Sequence, residues 1–588
     1  MKENIKRRRK RNARRKQLLP FFVAGGLIAL VLVVVLGVKL IQKYSPSKEH
    51  MALTEYYSMT EDSQVAITLN HTVLDEFGTL IDGHVYLDYE FVHDVLNSRF
   101  YWDENENILL YTTASDVISA NADATSYMIG KSSADYGRVI VKATADSAWV
   151  DIDFVNQYSD FTYTYYDSPS RIVITNEWTE ITTSTLKGNT EVRYKGGIKS
   201  PILADVKKGD ELTILAVDEK WTKVCTIDGI TGYVKSNKVK KTETKQLVSE
   251  YTKETFNHIK KEETINLIWH PVYSTAGNDT ISTILSETKG INVISPSWFK
   301  LRDNEGNISS YASSSYVDYC HSHGVEVWAM VKNLDLDSEN IDITYILTHT
   351  SARQNLVNQI ISQALQYNLD GINIDFEELN GDAIGDGYIQ FLRELSIKCE
   401  NNDIILSTDV LIPESYNEVY KYGEQVDFVD YVIVMTYDQH TGQRTGEGSV
   451  AALNWVEECL NNTLGEGVPA DQLVMTAPFY TRLWKLTPSI EDSLENQPYK
   501  ITRQHLSLDA GKRWMQNNVS EPIWLEDCNQ WYGEIQKGST IYKLWLEDET
   551  SIEGRLQLMQ EYNLAGIAFW STDWYNTSIW DVIIKYMN

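Results

Sequence analysis

Cysteine is scarce in this chain. The 588 residues include only five cysteines, an odd number, at positions 225, 320, 399, 459 and 528. Such scattered cysteines exclude a disulfide framework and lack the paired spacing of a zinc site. We therefore predict no structural metal, and we expect hydrophobic cores to stabilise several domains.

Positive charge is also in short supply. The sequence has 53 Lys and Arg against 82 Asp and Glu, which gives a net charge of −29. A surface this acidic excludes binding to DNA or to other polyanions through general electrostatics. A polymeric ligand must be held by stacking and hydrogen bonding, for which 16 Trp and 35 Tyr provide aromatic surface. We predict no nucleic-acid partner.

The positive charge that does occur is concentrated at the N terminus. The first 16 residues contain ten Lys and Arg against one Glu, and an apolar run follows from Leu18 to Val38. This run is about long enough to cross a hydrocarbon core of ~30 Å. No cleavage pattern or lipid-attachment cysteine follows it. The positive-inside rule predicts a single-pass cell-membrane protein with a cytoplasmic tail (1–17), a signal-anchor helix (18–41), a linker (42–58) and an extracellular remainder.

A segment in the C-terminal half alternates polar and apolar residues. The polar positions are Asn373, Asp375 and Glu377, and the apolar positions between them are Ile372, Ile374 and Phe376. In a strand, this period of two sends the polar side chains to one face. Two carboxyl groups aimed into a common space suit an acid and a charge stabiliser in a catalytic pocket. The alternative is an edge strand with a wet acidic face.

The same segment resembles the Asp-Gly-x-Asp-x-Asp-x-Glu signature of glycoside hydrolase family 18, the chitinases and their relatives. Two other family markers follow it, Met-x-Tyr-Asp at Met435–Asp438 and Gly-x-x-x-Trp at Gly566–Trp570. Eight strand-like runs, separated by helical stretches, also fit an α/β fold with a (β/α)8 TIM barrel over residues 263–588. They occupy residues 265–269, 294–299, 325–329, 369–377, 404–410, 434–440, 477–484 and 566–570.

The resemblance implies substrate-assisted retaining hydrolysis of a glycan with 2-acetamido sugars, an exception to the usual two-carboxylate scheme. It implies Glu377 as general acid and then base, Asp375 as the residue that orients the acetamide, and Tyr437 as a hydrogen-bond donor to the acetamide oxygen. It also implies that Asp438 holds the sugar and that Trp570 forms an apolar floor. Further candidates for substrate contacts, which packing would equally explain, are Trp298, Tyr480, Arg482 and Trp484. No cofactor is predicted.

Asn373 departs from the family pattern, which usually has Asp at that position. An amide cannot share a proton with Asp375, but it can donate a hydrogen bond to it. We therefore predict that Asn373 keeps Asp375 ionised and alters the pH profile without abolishing turnover. Close relatives of the spore-cortex type, which the chain also resembles, commonly have Asn there.

Two modules are predicted between the membrane helix and the barrel. Tyr86–Val92 is repeated as Trp149–Val155, which indicates a duplicated α+β stalk domain at 59–181. It resembles the stalk named for the N-terminal part of copper amine oxidases, but no His cluster accompanies it, so no copper is predicted. Residues 184–241, with short β runs and Gly turns, resemble a bacterial SH3-like barrel, and 242–262 are predicted to be a linker.

The substrate prediction depends on location. An anchored ectodomain with an SH3-like module would face a bacterial cell wall, which favours peptidoglycan over chitin oligosaccharides. A non-catalytic, lectin-like wall-binding protein is the alternative from another class, and the retained acids argue against it. Residues 484–545 are predicted to form a wall on the active face, with a helix near 510–517 and β segments at 523–527 and 544–548.

Overall fold

The computed structural model describes residues 2–334, 341–442, 444–488 and 499–587. The chain divides into two compact units, one formed by residues 1–97 and 144–253 and the other by residues 98–143 and 254–588. A single helix, Lys2–Tyr44, begins the first unit. In the described residues, its segment Pro20–Tyr44 is the one helix long and apolar enough to cross a membrane, a property that a signal sequence shares.

The first unit contains a mixed sheet that carries the predicted repeat. Its strands in this unit, in spatial order, are Thr162–Tyr166, Arg171–Thr175, Gln64–Leu69, Thr72–Ile81, His84–Asp88 and Ala148–Asp151. Short helices lie at Leu53–Tyr56, Tyr89–Phe91, Val92–Leu96 and Ile152–Asn156. In both copies of the repeat an aspartate ends the strand and caps the helix: Asp88 accepts from the Glu90 N–H and Asp151 from the Phe154 N–H. The recurring sequence therefore corresponds to a recurring strand–helix turn.

The rest of the first unit is an antiparallel β domain. Its strands are Glu180–Thr185, Thr190–Arg193, Ile202–Val206, Glu211–Val217, Trp221–Thr226, Thr231–Lys235 and Glu243–Gln246, with a 3-10 turn at Ser236–Lys238. Its core consists of Leu186, Val192, Val206, Leu212, Ile214, Val224, Val234 and Val239. These side chains come mainly from alternate positions of the strands, as expected when each strand has one face buried.

The second unit is built around a closed barrel of eight parallel strands, which confirms the predicted TIM barrel. The strands are β1 (Ile265–His270), β2 (Val293–Pro296), β3 (Glu326–Lys332), β4 (Gly371–Asp375), β5 (Ile405–Val410), β6 (Tyr431–Val434), β7 (Leu473–Pro478) and β8 (Gly566–Trp570). Consecutive strands pair in parallel, and the pairing of β8 with β1 closes the barrel. A hairpin, Phe299–Leu301 and Ile308–Ser310, extends the sheet beside β3.

Helices cover the outside of this barrel. They are Ile281–Glu287, Ser314–Ser322, Ile343–Thr348, Thr350–Tyr367, Asp382–Glu400, Tyr422–Gln425, Leu453–Gly465, Glu549–Glu561 and Trp580–Ile583, with 3-10 turns at Thr275–Thr280, Glu418–Tyr420, Thr577–Ile579 and Ile584–Tyr586. One hydrophobic core lies between the strands and these helices, and a second, smaller core fills the barrel interior. On β4, for example, Ile372 and Ile374 belong to the outer core, so the alternate residues face inward.

An antiparallel sheet is inserted between β7 and β8. Its strands are Tyr480–Pro488, Tyr499–Ser507, Ile523–Leu525, Gln530–Lys537 and Thr540–Leu546, with a helix at Leu508–Asn518. Helix and strands therefore occur near the positions predicted for the wall, except that residues 489–498 lie outside the described part of the chain. Because the first strand begins two residues after β7, the insertion starts at the carboxyl end of the barrel strands.

A five-stranded meander also belongs to the barrel unit, although the sequence placed it in the stalk domain. Its strands are Phe100–Asp103, Ile108–Thr112, Val117–Asn121, Ser126–Ile129 and Ser132–Asp135, and Val141–Ala143 follows. The buried Asp103 carboxylate accepts hydrogen bonds of 2.6 Å from both the backbone N–H and the hydroxyl of Thr350, the first residue of a barrel helix. Residue pairs this distant in the sequence hold the meander against the barrel.

Candidate active site

The acidic strand presents its polar side chains to the barrel interior, as its period of two predicts. Asn373 is fully buried and Asp375 is 9% exposed, while Ile372 and Ile374 pack outside the barrel. Gly371 precedes them because a Cβ at this position would lie 2.7 Å from the Trp328 ring. The strand therefore aims one amide and one carboxyl group into the same enclosed space.

Glu377 lies two residues beyond the end of β4, where strand geometry no longer orients it. Its backbone is instead held by Asn333, whose side-chain N–H donates to the Glu377 carbonyl at 2.8 Å and whose oxygen accepts from the Glu377 N–H at 2.9 Å. The Tyr420 hydroxyl donates to the neighbouring Phe376 carbonyl at 2.8 Å. These contacts fix the backbone from which the Glu377 side chain projects.

Three carboxyl groups share this space, since Asp409 at the end of β5 joins Asp375 and Glu377. Burial raises the pKa of Asp375 well above its usual range, and the charges of Glu377 and Asp409 raise it further. Burial also raises the pKa of Glu377, with help from the charges of Glu378 and Asp438. A raised pKa lets a glutamic acid hold its proton to higher pH, as a general acid requires.

Asn373 does not make the predicted hydrogen bond to Asp375. Its amide donates to the Ser407 hydroxyl at 3.1 Å and to the Asp409 carboxylate at 2.8 Å. Its oxygen accepts from the Trp269 indole N–H at 3.0 Å and from Ser295. Both amide hydrogens are therefore used on β5. The hydrogen bond on which that prediction depended is therefore not made, and burial and two neighbouring carboxyl groups raise the pKa of Asp375.

Tyr437 and Asp438 follow β6 and contribute the opposite wall. Burial raises the pKa of Tyr437 well above its usual value, so its hydroxyl remains a proton donor. Asp438 has a left-handed backbone, with φ of 66°. Its carboxylate pairs with the Arg482 guanidinium at 2.6 Å and accepts a hydrogen bond from the Tyr480 hydroxyl. Residues of the inserted sheet thus hold a half-exposed carboxylate at the mouth of the site.

The three carboxyl groups line one cavity of about 270 Å³ together with Tyr437 and Asp438, whereas Asn373 lies outside its lining. Trp570, the last residue of β8, lines it together with Trp269, and the two ring centres are 5.8 Å apart at 54°. The full lining is Trp269, Met330, Asp375, Glu377, Asp409, Met435, Tyr437, Asp438, Tyr480, Arg482, His505, Trp570 and Trp574. A lining that combines carboxyl groups with aromatic rings suits a sugar ring, which has polar edges and apolar faces.

Two of the predicted aromatic candidates lie away from this cavity. Trp298 is fully buried in the outer core, where its indole N–H donates to Asn278 at 2.8 Å. Trp484 is fully buried and donates to the Gly448 carbonyl at 2.7 Å. A buried tryptophan with its one donor satisfied is a packing residue, so the structure does not support a substrate contact for either.

Several lining residues were missed from the sequence, among them Asp409, Trp269, His505 and Trp574. The available signal was position, because Asp409 and Trp269 sit near the carboxyl ends of predicted strands, where such barrels collect functional side chains. His505 gave no such signal, since it comes from the inserted sheet, where its ring nitrogen lies 3.2 Å from the Arg482 guanidinium.

One group of residues in the described part of the chain could offer three ligands to a metal ion. His84, Asp151 and Asp153, in the N-terminal unit, place ligand atoms within 4.8 Å of one another. Asp151 already caps a helix, and Asp153 accepts a hydrogen bond from the Tyr163 hydroxyl. Both carboxylates therefore have structural partners that account for their positions.

Comparison with known proteins supports the resemblance. The family model for glycosyl hydrolases family 18 matches residues 325–574. YvbX of Bacillus subtilis, an uncharacterised glycosylase, is 22% identical over 326 residues, which cover 53% of this chain and 90% of YvbX. The cortical fragment-lytic enzyme of Bacillus anthracis is 24% identical over 252 residues, covering 41% of this chain and only 55% of that enzyme.

A solved structure gives the same fold. The C-terminal domain of a presumed chitinase from Desulfitobacterium hafniense has a TM-score of 0.50 at 20% identity, covering 55% of this chain and 98% of that domain. The family model spans β3 to β8, which carry both acids of the signature and most of the cavity wall. Residues 325–574 of the barrel therefore match glycosyl hydrolases family 18, and this match supports a glycoside hydrolase.

Proposed function

We propose that this protein cleaves β-1,4 bonds after N-acetylglucosamine in peptidoglycan, by retaining catalysis in which the substrate's own acetamide is the nucleophile. The observation that supports it most directly is the convergence of Asp375, Glu377, Tyr437 and Trp570 on one cavity. By the family resemblance, these four residues would serve as stabiliser, acid, acetamide ligand and sugar floor. A protein that only bound glycans would have no need of a buried acid with a raised pKa.

Glu377 would serve first as the acid and then as the base. In the first step it gives its proton to the glycosidic oxygen as the bond to the anomeric carbon breaks. The acetamide oxygen then bonds to that carbon and forms an oxazolinium ion. In the second step the Glu377 carboxylate takes a proton from water as the water oxygen attacks the same carbon. The bond between that carbon and the acetamide oxygen breaks, which releases the acetamide and restores the configuration. The raised pKa of Glu377 keeps the proton available for the first step.

Asp375 and Tyr437 would hold the acetamide for this attack. Positive charge develops on the acetamide nitrogen as the ring closes, and a carboxyl group beside its N–H stabilises that charge. The Tyr437 hydroxyl can donate to the acetamide oxygen, because its raised pKa keeps it protonated. Orientation of this kind converts the attack into an intramolecular step with the reacting atoms already aligned.

The sugar itself would lie between Trp570 and Asp438. The indole face of Trp570 offers apolar surface to the sugar ring, and the exposed part of the Asp438 carboxylate can accept sugar hydroxyl hydrogens. Tyr480 and Arg482 bind Asp438 from the inserted sheet, so this sheet would control both the position of Asp438 and one wall of the subsite.

Peptidoglycan is favoured by the predicted location and by the relatives. The N-terminal apolar helix is consistent with a membrane anchor that leaves the barrel outside the cell. The antiparallel domain at residues 180–246 is consistent with an SH3-like module, and the mixed sheet before it with a stalk. Similarity to a cortical fragment-lytic enzyme points in the same direction, whereas chitin oligosaccharides carry the same acetamide and remain the second candidate.

The test compares the full chain in detergent with its Glu377→Gln variant. Each is incubated with purified peptidoglycan and with chitin oligosaccharides, and the products are identified by mass spectrometry. We expect muropeptide fragments with reducing N-acetylglucosamine ends from the parent, and a loss of about 10²-fold or more in rate for the variant. The variant keeps the size and the hydrogen-bonding shape of Glu377 but cannot give up a proton.

The other possible outcomes of this cleavage test lead to different conclusions about the substrate and the catalytic acid. Release from chitin oligosaccharides alone would replace the substrate and keep the mechanism. Binding to peptidoglycan without release from either glycan would contradict the enzymatic proposal and favour a lectin-like protein. Equal release by parent and variant would show that Glu377 is not the acid.

A further inference from the structure

Asp409 occupies a position that the family signature does not mark. In the pairing of β4 with β5, Asp375 is aligned with Asp409 and Asn373 with Ser407. Neighbouring parallel strands lie about 4.8 Å apart, and aligned residues project to the same side of the sheet. The Asp409 side chain therefore enters the barrel interior directly beside Asp375, on the next strand.

The contacts of Asp409 link it to the residue that departs from the family pattern. Its carboxylate accepts the Asn373 amide N–H at 2.8 Å, and the side chain is only 1% exposed. It also lines the cavity that holds the two signature acids. The usual family pattern has a carboxyl group at position 373. This chain has the amide of Asn373 there, and this amide donates a hydrogen bond to the Asp409 carboxylate on the adjacent strand.

We propose that Asp409 is a positioning residue that replaces the missing carboxyl group at position 373 and shares a proton with Asp375. The inference rests on the proposed function, because it assigns Asp409 a part in the same reaction. Ionising both Asp375 and Asp409 would place two negative charges side by side in a buried space, at a high cost in free energy. The pair therefore retains one proton. Asn373 biases this pair, because its N–H donates to the Asp409 carboxylate and so favours the ionised form of Asp409.

The protonation of this pair depends on every charged group that faces it. Burial raises the pKa of Asp409, and the hydrogen bond from Asn373 opposes this rise. The Glu377 charge adds to the rise, and the nearby Trp269 indole opposes it. Lys332 on β3 lowers the pKa of Asp375 and of Glu377. The other titratable or charged groups around the cavity are Glu378, Tyr388, Tyr420, Tyr437, Asp438, Tyr480, Arg482 and His505.

The pairing of Asp375 with Asp409 predicts the direction in which the pH profile moves when the Asp409 charge is removed. Because the Asp409 charge raises the pKa of Asp375, replacing it with a neutral amide lowers the pH at which Asp375 ionises. The acid limb of the pH profile of kcat/KM should then move to lower pH, by about one unit or more. Asn373→Asp adds a negative group to the cluster and should move the limb in the opposite direction.

The decisive experiment is a charge exchange in the full chain. Profiles of kcat/KM against pH are measured on whichever glycan the parent cleaves, for the parent, Asp409→Asn, Asn373→Asp and the double variant Asn373→Asp/Asp409→Asn. The double variant returns the carboxyl group to position 373 and puts the amide on β5. We expect it to recover most of the activity that Asp409→Asn loses, and to return the acid limb toward the parent position.

A matched control separates this role from a structural one. Asp430 is also buried, but it precedes β6, at the end of the barrel opposite the cavity, where it accepts backbone N–H groups of Leu406 at 2.8 Å and Ile259 at 2.6 Å. Asp430→Asn should lower thermal stability and leave the acid limb in place. Thermal melting of all variants identifies any that fail to fold.

Failure of this inference can be distinguished from failure of the proposed function. If the parent cleaves a glycan, an unmoved acid limb in Asp409→Asn overturns the inference, and so does a double variant no more active than Asp409→Asn. If the parent cleaves neither glycan, the proposed function fails, and infrared difference spectra of the unliganded parent and Asp409→Asn take over the test. A protonated-carboxyl band whose titration moves to lower pH in Asp409→Asn supports the shared proton, and an unmoved band overturns it.

Discussion

Asn333 should control turnover although it carries no charge and is not a general acid or base. It lies just beyond the end of β3, is 7% exposed, and makes the two reciprocal hydrogen bonds that hold the Glu377 backbone. Replacing it with alanine removes both bonds at once. The Glu377 N–H and carbonyl then have no partner from this side chain, and the loop that carries the acid can move.

The structural cost and the catalytic cost of Asn333→Ala can be worked out separately. Each buried hydrogen bond contributes about 0.5–1.5 kcal/mol, so losing two should reduce the free energy of unfolding by about 2 kcal/mol. Displacing a catalytic group by about 1 Å costs on the order of 10²-fold in rate. We therefore expect kcat to fall far more than KM rises, since the acid moves while the aromatic floor remains.

The control is Asn278→Ala. Asn278 is also buried, accepts the Trp298 indole N–H at 2.8 Å and donates to the Tyr311 carbonyl at 2.8 Å, but it does not line the cavity. Both variants should lose similar stability in urea unfolding, while only Asn333→Ala loses kcat on the glycan substrate. Equal kcat values for the two variants would refute the reasoning that Asn333 aims Glu377.

Three further predictions test other parts of the molecule. Trp570→Ala should weaken substrate binding by about 2 kcal/mol, because apolar contact with the sugar is lost, and KM should rise about 30-fold. A KM within twofold of the parent value would contradict the role of Trp570 as the sugar floor. Asp103→Ala should destabilise the barrel unit by about 1–2 kcal/mol in urea unfolding, because Thr350 loses its cap, while kcat stays at the parent value. Burial raises the pKa of Asp430 to about 7, so the folded protein binds the Asp430 proton more tightly than the unfolded chain does. The protonated carboxyl group therefore contributes to the free energy of unfolding at low pH, and this contribution is lost as pH rises from about 4 through 7. In urea unfolding across this pH range, the free energy of unfolding of the parent should fall by up to about 1.4 kcal/mol per pH unit more than that of Asp430→Asn. Parallel curves of unfolding free energy against pH for the two proteins would rule this titration out.

The features predicted well from the sequence depend on local periodicity. Alternation on β4 places Asn373 and Asp375 inside and Ile374 outside whatever the neighbouring strands are, because successive residues of any strand point to opposite faces. The other strand-like runs were identified as short β-type segments separated by helical stretches. Glu377 shows where this reasoning stops, since it lies beyond the strand and its direction is set by Asn333, 44 residues away.

The features that were missed depend on which strands are neighbours and in what register. The partner of Asn373 could not be predicted, because Asp375 is its neighbour in sequence while Asp409 is its neighbour across the sheet. Trp298 illustrates the opposite error. An aromatic residue after a barrel strand suits a sugar contact or a core equally well, and only its burial and its bond to Asn278 decide between them.

The internal repeat led to a different kind of misassignment. Both copies do form a strand and a capped helix, but the hairpin after the first copy continues into the five-stranded meander of the barrel unit, whereas the hairpin after the second remains in the N-terminal unit. The contact that holds the meander joins Asp103 to Thr350, 247 residues apart. No repeat signal contains information about a pairing so distant in the sequence.

The acid cluster shows why a signature can change at one position without implying loss of function. A family signature records residues along one strand, whereas the electrostatics of the site depend on the number of carboxyl groups in the enclosed volume. In this barrel the volume still contains a carboxyl group beside Asp375, supplied by Asp409 on β5, and the amide at 373 donates to it. An Asn at position 373 removes one negative charge from the cluster, and under the proposal above Asp409 supplies it. Substitution at either position should therefore be judged by the charge that remains in the pair, which is the quantity that the exchange of Asn373 and Asp409 measures.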